Sequence, residues 1–506
     1  MSMESGSAGV VVVGAGPSGL VASSALCAAG VDVRTLDAAP APATTSRALG
    51  LQPRGIEVLD RIGVIGNLRE SAVPLSRSIF RINGRNLAEL SWVNASRSGP
   101  AYPLIISQAD IEASLRNRLT AAGGTVEWNQ RVVSVDDTGE RASVRLADGT
   151  VIHADWVIGA DGAHSVVRKA AGIDFPGVPR VERLLIADVC ADLDSPRDAV
   201  VFFAGPTGLL GAFPLPGDDV WRLMAPAAGG DHADLTPQEI LDELAAGLAQ
   251  HAGGVVRSVV WASSFRIHRR LADSYRRGRL LLVGDAAHTH SPVGAQGLNT
   301  GIGDAENLAW KLTLVMSGRA HENLLDSYEA ERRPIAAEVL SNTADVTDIL
   351  AGTGLMKRLI RDHAMVPMLS RRWVQRHIAD KASQLSVTYR KGPLGSTRRL
   401  RACGMRSSGL RPGDRVPDAE FTRENGNVVR LFTLLGPGWA LLGRDALGAV
   451  AKARLGDVAV LPGDDDALLV RPDGHLAWRG RDPRLLEVWL DTALGRSSAV
   501  NAVSAR

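Results

Sequence analysis

The sequence predicts an α/β protein built from more than one domain, and three observations support this prediction. The chain has 506 residues, more than a single hydrophobic core usually serves. At three separate places an apolar run suited to a buried strand leads into a glycine-containing turn and then a helical pattern, the order found in parallel sheets covered by helices. Between these places lie alternating or aromatic strand candidates, which favour an inserted sheet of mixed type.

Composition and charge limit the kinds of partner that the chain would bind. Hydrophobic residues make up 45% and charged residues 22%, and the formal net charge at pH 7 is +2. These values are ordinary for a globular protein. So weak a charge gives nucleic acid or an anionic membrane no electrostatic reason to bind. We therefore expect a small neutral or weakly acidic molecule as ligand, and neither nucleic acid nor membrane as partner.

The three cysteines, Cys27, Cys190 and Cys403, are far apart and odd in number. Such spacing is neither a disulfide framework nor a set of metal ligands, so we expect a reducing compartment and no bound metal. No apolar window reaches the length of about 18 residues that a membrane helix needs, and the first residues do not have the pattern of a signal peptide. The sequence thus predicts a soluble, cytoplasmic protein.

The first chemical motif is a strand, a glycine-rich turn and a helix near the N-terminus. Four valines lead into a turn that contains Gly14, Gly16, Ser18 and Gly19. Here Gly14 suits the tight turn, Gly16 the approach of a pyrophosphate and Gly19 close packing of the helix on the strand. Asp37 ends the next predicted strand, near the spacing of about 20 residues at which an acid binds the adenosine ribose. Together these features predict a dinucleotide site and leave open which dinucleotide it binds.

A second motif follows a run of three leucines and a valine that ends in Gly284-Asp285. Asp285, at a strand end, is a suitable acceptor for sugar-like hydroxyls. The segment continues through Pro292 and Gly294 to a helix, and it resembles the GD motif of single-component flavoprotein hydroxylases, which have the p-hydroxybenzoate hydroxylase fold. The resemblance implies that Asp285 holds the ribityl chain of FAD and that Pro292 and Gly294 run beside the isoalloxazine ring.

The start of the following helix is a candidate site for the flavin ring. Backbone amides near Gly297, Leu298 and Asn299 would stabilise negative charge that develops on the reduced ring. Two positions depart from the family pattern. Ala295 lies where many relatives have a second adjacent glycine, which would limit movement of the flavin, and Asp37 replaces the usual glutamate.

The third motif, another strand, turn and helix, contains Asp161 and resembles the DG motif of the same family. The resemblance implies that this turn helps to place both FAD and the nicotinamide cofactor. Arg47 and Gln108 lie in segments similar to those whose arginine and glutamine contact FAD in related enzymes. A surface salt bridge for Arg47 and a polar helix start for Gln108 are the alternative interpretations.

The resemblance and the change in sequence character suggest a division of the chain into four parts. These are an FAD-binding domain of the Rossmann type at residues 1–75, 104–172 and 268–355, a substrate-binding sheet domain at 76–103 and 173–267, a helical connection at 356–391, and a thioredoxin-like C-terminal domain at 392–506. The last part has no Cys-x-x-Cys, so thiol redox chemistry is not expected there. A structural or dimer-supporting role is expected instead, in a monomer or a homodimer.

The resemblance implies an FAD-dependent monooxygenase, similar to bacterial hydroxylases that modify aromatic polyketides in antibiotic biosynthesis. NADPH or NADH would reduce the flavin, and a flavin C4a-hydroperoxide would transfer one atom of dioxygen to a polycyclic aromatic substrate. Since the cofactor performs the difficult chemistry, the protein supplies orientation and excludes water, and the sequence assigns no catalytic residue. Two alternatives stay open: Baeyer–Villiger insertion into a related polyketide, and a protein that binds FAD and ligand without catalysis.

Overall fold

A computed structural model describes most of the chain. The described residues are 4–43, 49–82, 84–92, 102–205, 208–227, 235–290, 295–350, 368, 371–395, 409–422, 426–436, 438–463 and 466–495. Among them, no helix combines the length and the apolarity that crossing a bilayer demands.

Within the described part of the chain, the first sheet has eight strands and a parallel centre. Its strands are β1 (Glu4–Val13), β2 (Val33–Leu36), β7 (Val126–Glu127), β8 (Val132–Asp137), β9 (Ala142–Leu146), β10 (Val151–Gly159), β16 (Arg276–Arg277) and β17 (Leu280–Leu282). The order β17, β10, β1, β2, β7 is parallel throughout, whereas β8, β9 and β16 are joined to it by antiparallel pairing. The four valines that end β1 are buried, as expected for a central parallel strand.

Helices cover this sheet and connect its strands. They are α1 (Pro17–Ala28), α2 (Pro53–Ile62), α3 (Ile65–Ser71), α4 (Gln108–Ala121), α5 (Val166–Ala170), α7 (Gln296–Met316) and α8 (Asp326–Leu350), with 3-10 turns at Gly284–Ala286 and Glu322–Leu325. Helix α1 packs against both α4 and α7. Leu20 of α1, Leu115 of α4 and Leu308 of α7 share one hydrophobic core with β1. The N-terminal turn and the helix that follows the second motif therefore belong to one packed unit.

The second sheet also has eight strands among the described residues, in the order β18, β15, β11, β14, β13, β12, β4, β5. The strands are β4 (Arg77–Ile82), β5 (Arg85–Ser91), β11 (Gly177–Asp192), β12 (Ala199–Gly205), β13 (Gly208–Pro214), β14 (Val220–Pro226), β15 (Val255–Leu271) and β18 (His288–Thr289). Only the β4–β12 pair is parallel, which confirms a sheet of mixed type. Helix α6 (Pro237–Ala252) packs Leu244 and Leu248 against one face. A separate pair is formed by β3 (Val73–Pro74) and β6 (Leu104–Ile105).

The C-terminal part forms a smaller α/β unit. Helix α9 (Arg372–Ala382) precedes this unit, whose elements are β19 (Glu420–Thr422), β20 (Val428–Arg430), α10 (Leu431–Leu435), β21 (Trp439–Leu442), α11 (Asp445–Leu455), β22 (Val458–Leu461), β23 (Ala467–Val470), β24 (Leu476–Gly480) and α12 (Pro483–Leu494). Strands β21 and β22 are parallel and enclose α11 in sequence, and β23 and β24 add an antiparallel hairpin before α12. This order agrees with the thioredoxin-like arrangement expected from the sequence, whereas the exact domain limits remain a prediction.

Candidate functional site

The three turns predicted from sequence follow three adjacent strands. Val13 of β1 pairs in register with Gly159 of β10, and Gly159 pairs with Leu282 of β17. All three strands run in the same direction, so their carboxyl ends lie at one edge of the sheet. In open α/β sheets this edge is where ligands bind. The structure therefore brings together the turns that contain Gly16, Asp161 and Asp285.

The glycines of the first turn have different environments. Gly14 has φ +103°, and a Cβ there would collide with the carbonyl group of Ala160. A Cβ on Gly19 would collide with the carbonyl oxygen of Gly14. By contrast, no atom of the described residues lies within 4 Å of a Cβ built on Gly16. Gly14 and Gly19 are thus needed for close packing, whereas Gly16 borders open space of the kind that a pyrophosphate would fill.

Ser18 lies where α1, α7 and the second turn meet. A Cβ on Gly284 or on Gly301 would collide with the Ser18 hydroxyl group. Glycine at both positions lets the second turn and α7 approach α1 closely. The described contacts of Ser18 therefore link the first and second turns to each other.

Asp37 directly follows β2 and faces the first turn. Its Oδ2 accepts a hydrogen bond from the Ala15 amide at 2.7 Å, and its Oδ1 accepts one from the Ala39 amide at 2.8 Å. Each carboxylate oxygen keeps a further acceptor position, and the side chain is partly exposed. The carboxylate is thus fixed by the backbone and still able to accept ribose hydroxyls.

Asp161 begins the third turn and has one oxygen atom without a partner. Its Oδ2 accepts hydrogen bonds from the Val166 and Val167 amides, at 2.7 and 3.2 Å, at the start of α5. Its Oδ1 is buried and has no hydrogen-bond partner among the described residues. Buried polar atoms are nearly always satisfied in folded proteins. The orphaned oxygen fits a site that is completed by a ligand.

Arg168, which the sequence analysis did not assign, joins the third turn to the second. Its guanidinium donates to the carbonyl oxygens of Ala286 and Ala163, both at 2.8 Å. It also lies over the Phe175 ring, 3.9 Å from the centroid. These contacts fix the relative position of the two turns that carry Asp161 and Asp285.

Asp285 lies in the 3-10 turn that follows β17. Its side chain is accessible to solvent, while desolvation by the neighbouring protein raises the pKa of its carboxyl group, an effect that the nearby His288 opposes. The accessible carboxylate at the sheet edge suits an acceptor for hydroxyls of a ligand.

Helix α7 packs against the second turn. Ala295 precedes it with φ +52°, and no side chain among the described residues caps the helix. Uncapped amides at a helix start favour negative charge. Gly297 and Leu298 lie in this first turn, as predicted from the sequence.

The side chain of Asn299 holds a neighbouring segment against the start of α7. Its Oδ1 accepts a hydrogen bond from the Gln52 amide at 2.9 Å, and its Nδ2 donates to the carbonyl oxygens of Gly50 at 3.0 Å and Ala295 at 2.6 Å. Asn299 is buried. It therefore fixes the loop before α7 and the segment before α2 in one arrangement.

A buried group of charges supports the second turn from behind. His288 Nε2 lies 2.6 Å from Asp304 Oδ2, and Arg332 Nε donates to Asp304 Oδ1 at 2.7 Å. Burial alone would raise the pKa of the Asp304 carboxyl, but Arg332 and His288 lower it. Arg332 also donates to the Thr300 carbonyl oxygen at 2.9 Å. The sequence analysis did not assign this group. The signal that could have indicated it is an acidic residue, Asp304, on the apolar face of a predicted helix.

Four predicted cofactor residues remain. Gln108 is the first residue of α4, and its Nε2 donates to Glu112 Oε1 at 2.7 Å. Burial raises the pKa of Glu112, an effect that the hydrogen bond from Gln108 opposes. Arg47, Pro292 and Gly294 lie outside the described residues.

The second sheet presents aromatic side chains on the face opposite α6. Side chains alternate between the faces of a strand, so Phe203, which belongs to the core beneath α6, points away from Phe202. Phe202 stacks on Phe80 with ring centroids 5.2 Å apart and contacts Phe213 edge-to-face at 5.9 Å. All three rings on this face are partly exposed. Sequence analysis identified the strands but not this surface.

A buried ion pair lies on the same sheet face. Arg222 Nε donates to Asp188 Oδ1 at 2.6 Å, and its Nη2 donates to Oδ2 at 2.8 Å. Trp261 Nε1 donates to Asp188 Oδ2 at 2.7 Å. Phe213 is the strand neighbour of Arg222, so the pair extends the aromatic surface toward β11 and β15.

Comparison with known proteins adds to this geometry. Residues 7–343 match the family model described as an FAD binding domain. The 6-methylpretetramide 4-monooxygenase of Streptomyces rimosus is 34% identical over 519 residues, which cover 93% of this chain and 90% of the relative. The Rifampicin monooxygenase of Streptomyces venezuelae is 34% identical over 503 residues, with 97% and 99% covered.

One solved structure is similar over almost its whole length and has a different described activity. It is a Diels–Alderase from pyrroindomycin biosynthesis, with a TM-score of 0.77 and 28% identity over 96% of this chain and 99% of that chain. The fold is thus shared by proteins with different reactions, whereas both sequence relatives are named monooxygenases. From the family match and these relatives, the chain belongs to the family with this FAD binding domain and is a flavin-dependent monooxygenase.

Proposed function

We propose that this monooxygenase hydroxylates a polycyclic aromatic substrate of polyketide type, with dioxygen as oxygen source and NADPH or NADH as electron donor. The proposal is carried by one observation: the three turns predicted to bind the cofactor lie at a single sheet edge, and a second sheet carries partly exposed aromatic rings on the face opposite α6. FAD, when bound, supplies the activation of dioxygen and the oxygen transfer. The names of the relatives, which include a 6-methylpretetramide 4-monooxygenase, support an aromatic polyketide as substrate.

Each of the residues at the sheet edge would bind a different part of the cofactor. The open space at Gly16 would take the pyrophosphate, and the backbone-held carboxylate of Asp37 would accept the ribose hydroxyls. The orphaned Oδ1 of Asp161 and the accessible carboxylate of Asp285 would accept further hydroxyl or amide donors. Amides at the start of α7 would stabilise negative charge on the ring. We assign the remaining contacts, by family resemblance, to Arg47, Gln108, Pro292 and Gly294.

The aromatic face of the second sheet would hold the substrate. Phe80, Phe202 and Phe213 offer ring faces and edges for stacking of a polycyclic molecule, and such contacts favour large apolar rings. Arg222 and Asp188 form a bidentate ion pair, so this pair would shape the surface without needing a charged substrate. A flat, largely neutral polyphenol fits this surface best.

A second candidate is a ligand-binding flavoprotein whose reaction involves no oxygen transfer. The similarity to the Diels–Alderase structure favours keeping it. No observation favours Baeyer–Villiger insertion over hydroxylation.

The test is to incubate the purified, yellow protein with NADPH or NADH, labelled dioxygen and a panel of polycyclic phenols and quinones. Hydroxylation predicts fast oxidation of the nicotinamide in the presence of an accepted substrate and a product that contains one labelled oxygen atom. A product changed in structure without added oxygen would favour the second candidate. A colourless protein that FAD does not reconstitute would refute both.

A further inference from the structure

Helix α9 connects the aromatic face of the second sheet to the start of α7. At the sheet, Val374 and Ile378 of α9 pack against a buried cluster that contains Ile82 of β4, and Phe80 packs against the same cluster. Nearby, Gln375 Nε2 donates to the carbonyl oxygen of Glu89 in β5 at 2.7 Å. Phe80 is also the ring that stacks on Phe202. One side of α9 therefore packs beside the surface proposed to hold the substrate.

The segment that ends α9 is bound to the first turn of α7. Gln296, the first residue of α7, donates from Nε2 to the carbonyl oxygen of Ala382 at 2.9 Å. In return, Gln384 Nε2 donates to Gln296 Oε1 and to Thr300 Oγ1, the latter at 3.1 Å. Gln296, Thr300 and Gln384 are all buried. Side-chain amides thus join two segments that are far apart in the sequence.

Backbone geometry on both sides of this contact is unusual. Gln384 has φ +57° and Ala295 has φ +52°, values that residues other than glycine rarely adopt. Such conformations persist only where surrounding contacts enforce them. Here those contacts are the amide hydrogen bonds of Gln384 and of Asn299, which holds the carbonyl oxygen of Ala295.

We propose that Gln384 is a positioning residue of the flavin site: its amide fixes the first turn of α7, and α9 links that turn to the substrate face. The inference rests on the proposed function, because it takes the start of α7 as the flavin-contacting turn. A substrate packed beside Phe80 would lie next to the cluster that Ile378 contacts. Substrate binding would therefore change the position of the first turn of α7, and with it the surroundings of the flavin, through α9 and Gln384.

The experiment compares Gln384→Ala and Gln384→Gly with the control Lys381→Ala. Both substitutions at position 384 remove the amide, but glycine also relieves the backbone strain. Lys381 lies three residues earlier, in the last turn of α9, and pairs with Glu338 at an exposed site. For each protein, FAD is titrated into the apoprotein by fluorescence, and the change in the flavin absorption spectrum is recorded when an accepted polycyclic phenol is added. Thermal unfolding of each apoprotein checks the fold.

Both Gln384 variants should bind FAD about threefold to tenfold more weakly, the range for one or two lost hydrogen bonds. Both should also show a smaller ligand-induced spectral change and release more hydrogen peroxide per NADPH oxidised. Lys381→Ala should behave as the unmodified protein does. Unchanged FAD affinity and spectral response in both Gln384 variants would overturn the proposal. The proposal would also be overturned if Gln384→Ala weakened FAD binding and Gln384→Gly did not, since backbone strain rather than the lost amide would then be responsible.

The other end of the link is tested by Ile378→Ala. This variant should keep normal FAD affinity and lose much of the spectral response to the phenol, because only the sheet contact is weakened. A normal response would overturn the linking role of α9. Failure of the unmodified protein to oxidise any aromatic compound would refute the proposed function instead, and the FAD titrations would still decide the role of Gln384.

Discussion

Single residues at the candidate site divide into those that pack the turns together and those that face the space expected to hold the ligand. Gly14 and Gly19 have no room for a side chain, whereas Gly16 borders open space. Asp161 turns one oxygen toward backbone amides, and its other oxygen has no partner among the residues that the structure describes. This difference separates substitutions that unfold the protein from substitutions that spare the fold and weaken cofactor binding.

We predict that Gly16→Ala weakens FAD binding, whereas Gly19→Ala lowers the stability of the fold. Gly16→Ala should leave the apoprotein as stable as before and weaken FAD binding at least tenfold, because the new methyl group would occupy ligand space. Gly19→Ala should lower the free energy of unfolding by about 1–3 kcal/mol, the usual cost of overpacking. Urea unfolding of the apoproteins and FAD titration measure the two effects. Equal losses of stability in both variants would contradict this division.

The sequence predicted the glycine turns, Asp37, Asp161 and Asp285 because each lies within a few residues of a strand end. It did not predict Arg168, Asp304 or Arg332. Their partners are distant in sequence: Arg168 bonds to Ala286, and Arg332 bonds to Asp304. Which buried charges meet depends on how helices pack, and local patterns carry no information about that.

At the scale of elements, strand alternation gives the second sheet two functions. Phe203 packs beneath α6, and its neighbour Phe202 faces the other way into the aromatic surface. The sequence predicted strands here from their aromatic and alternating residues. The parallel pairing of β12 with β4 joins segments more than a hundred residues apart, so local patterns did not reveal which strands are neighbours.

We predict that Phe202→Leu and Phe203→Leu separate substrate binding from stability. Phe202→Leu should raise the KM for an accepted polycyclic phenol about twofold to tenfold, since ring stacking is worth about 0.5–1.5 kcal/mol, and should cost less stability than Phe203→Leu because the Phe202 ring is partly exposed. Phe203→Leu should lower the free energy of unfolding by about 1 kcal/mol and leave KM unchanged. Steady-state kinetics and urea unfolding measure both. A normal KM for Phe202→Leu would place the substrate elsewhere.

At the scale of the whole molecule, a buried ionic network joins the C-terminal part to α7 and α8. Arg471 donates to both carboxylate oxygens of Glu331, at 2.8 and 2.9 Å, and Lys311 Nζ donates to Glu331 at 2.8 Å. Asp473 accepts hydrogen bonds from Asn307 and from the Trp310 indole, both at 3.1 Å. The network is inaccessible to solvent, so each charge depends on partners from another part of the chain.

We predict that Arg471→Met destabilises the protein by about 3–5 kcal/mol, because it leaves buried carboxylates without their partner. The control is Arg141→Met, which removes an exposed ion pair with Asp155 and should cost less than about 1 kcal/mol. Differential scanning calorimetry should show one transition for the unmodified protein, since the two parts share this network. Separate transitions for the C-terminal part would contradict the coupling.

The pH dependence of stability should report the same interface. Burial lowers the pKa of His475 to about 4, against the attraction of Asp473. The unfolded chain takes up a proton on this histidine below about pH 6.5, whereas the folded protein does not until about pH 4. Stability should therefore fall as the pH drops through this interval. In His475→Asn, which keeps a polar group near Asp473, the slope between pH 6.5 and 5 should be smaller. An unchanged slope would assign the dependence to other groups.

The interlocked charges of Lys311, Glu331, Arg471 and Asp473 also constrain protein engineering. A hybrid that takes its C-terminal part from one homologous parent and the rest from another inherits two of these residues from each parent. Where the two pairs do not match, a charge without a partner is buried in the hybrid. Recombination of such enzymes should therefore exchange these four positions as one block, wherever the crossover is made.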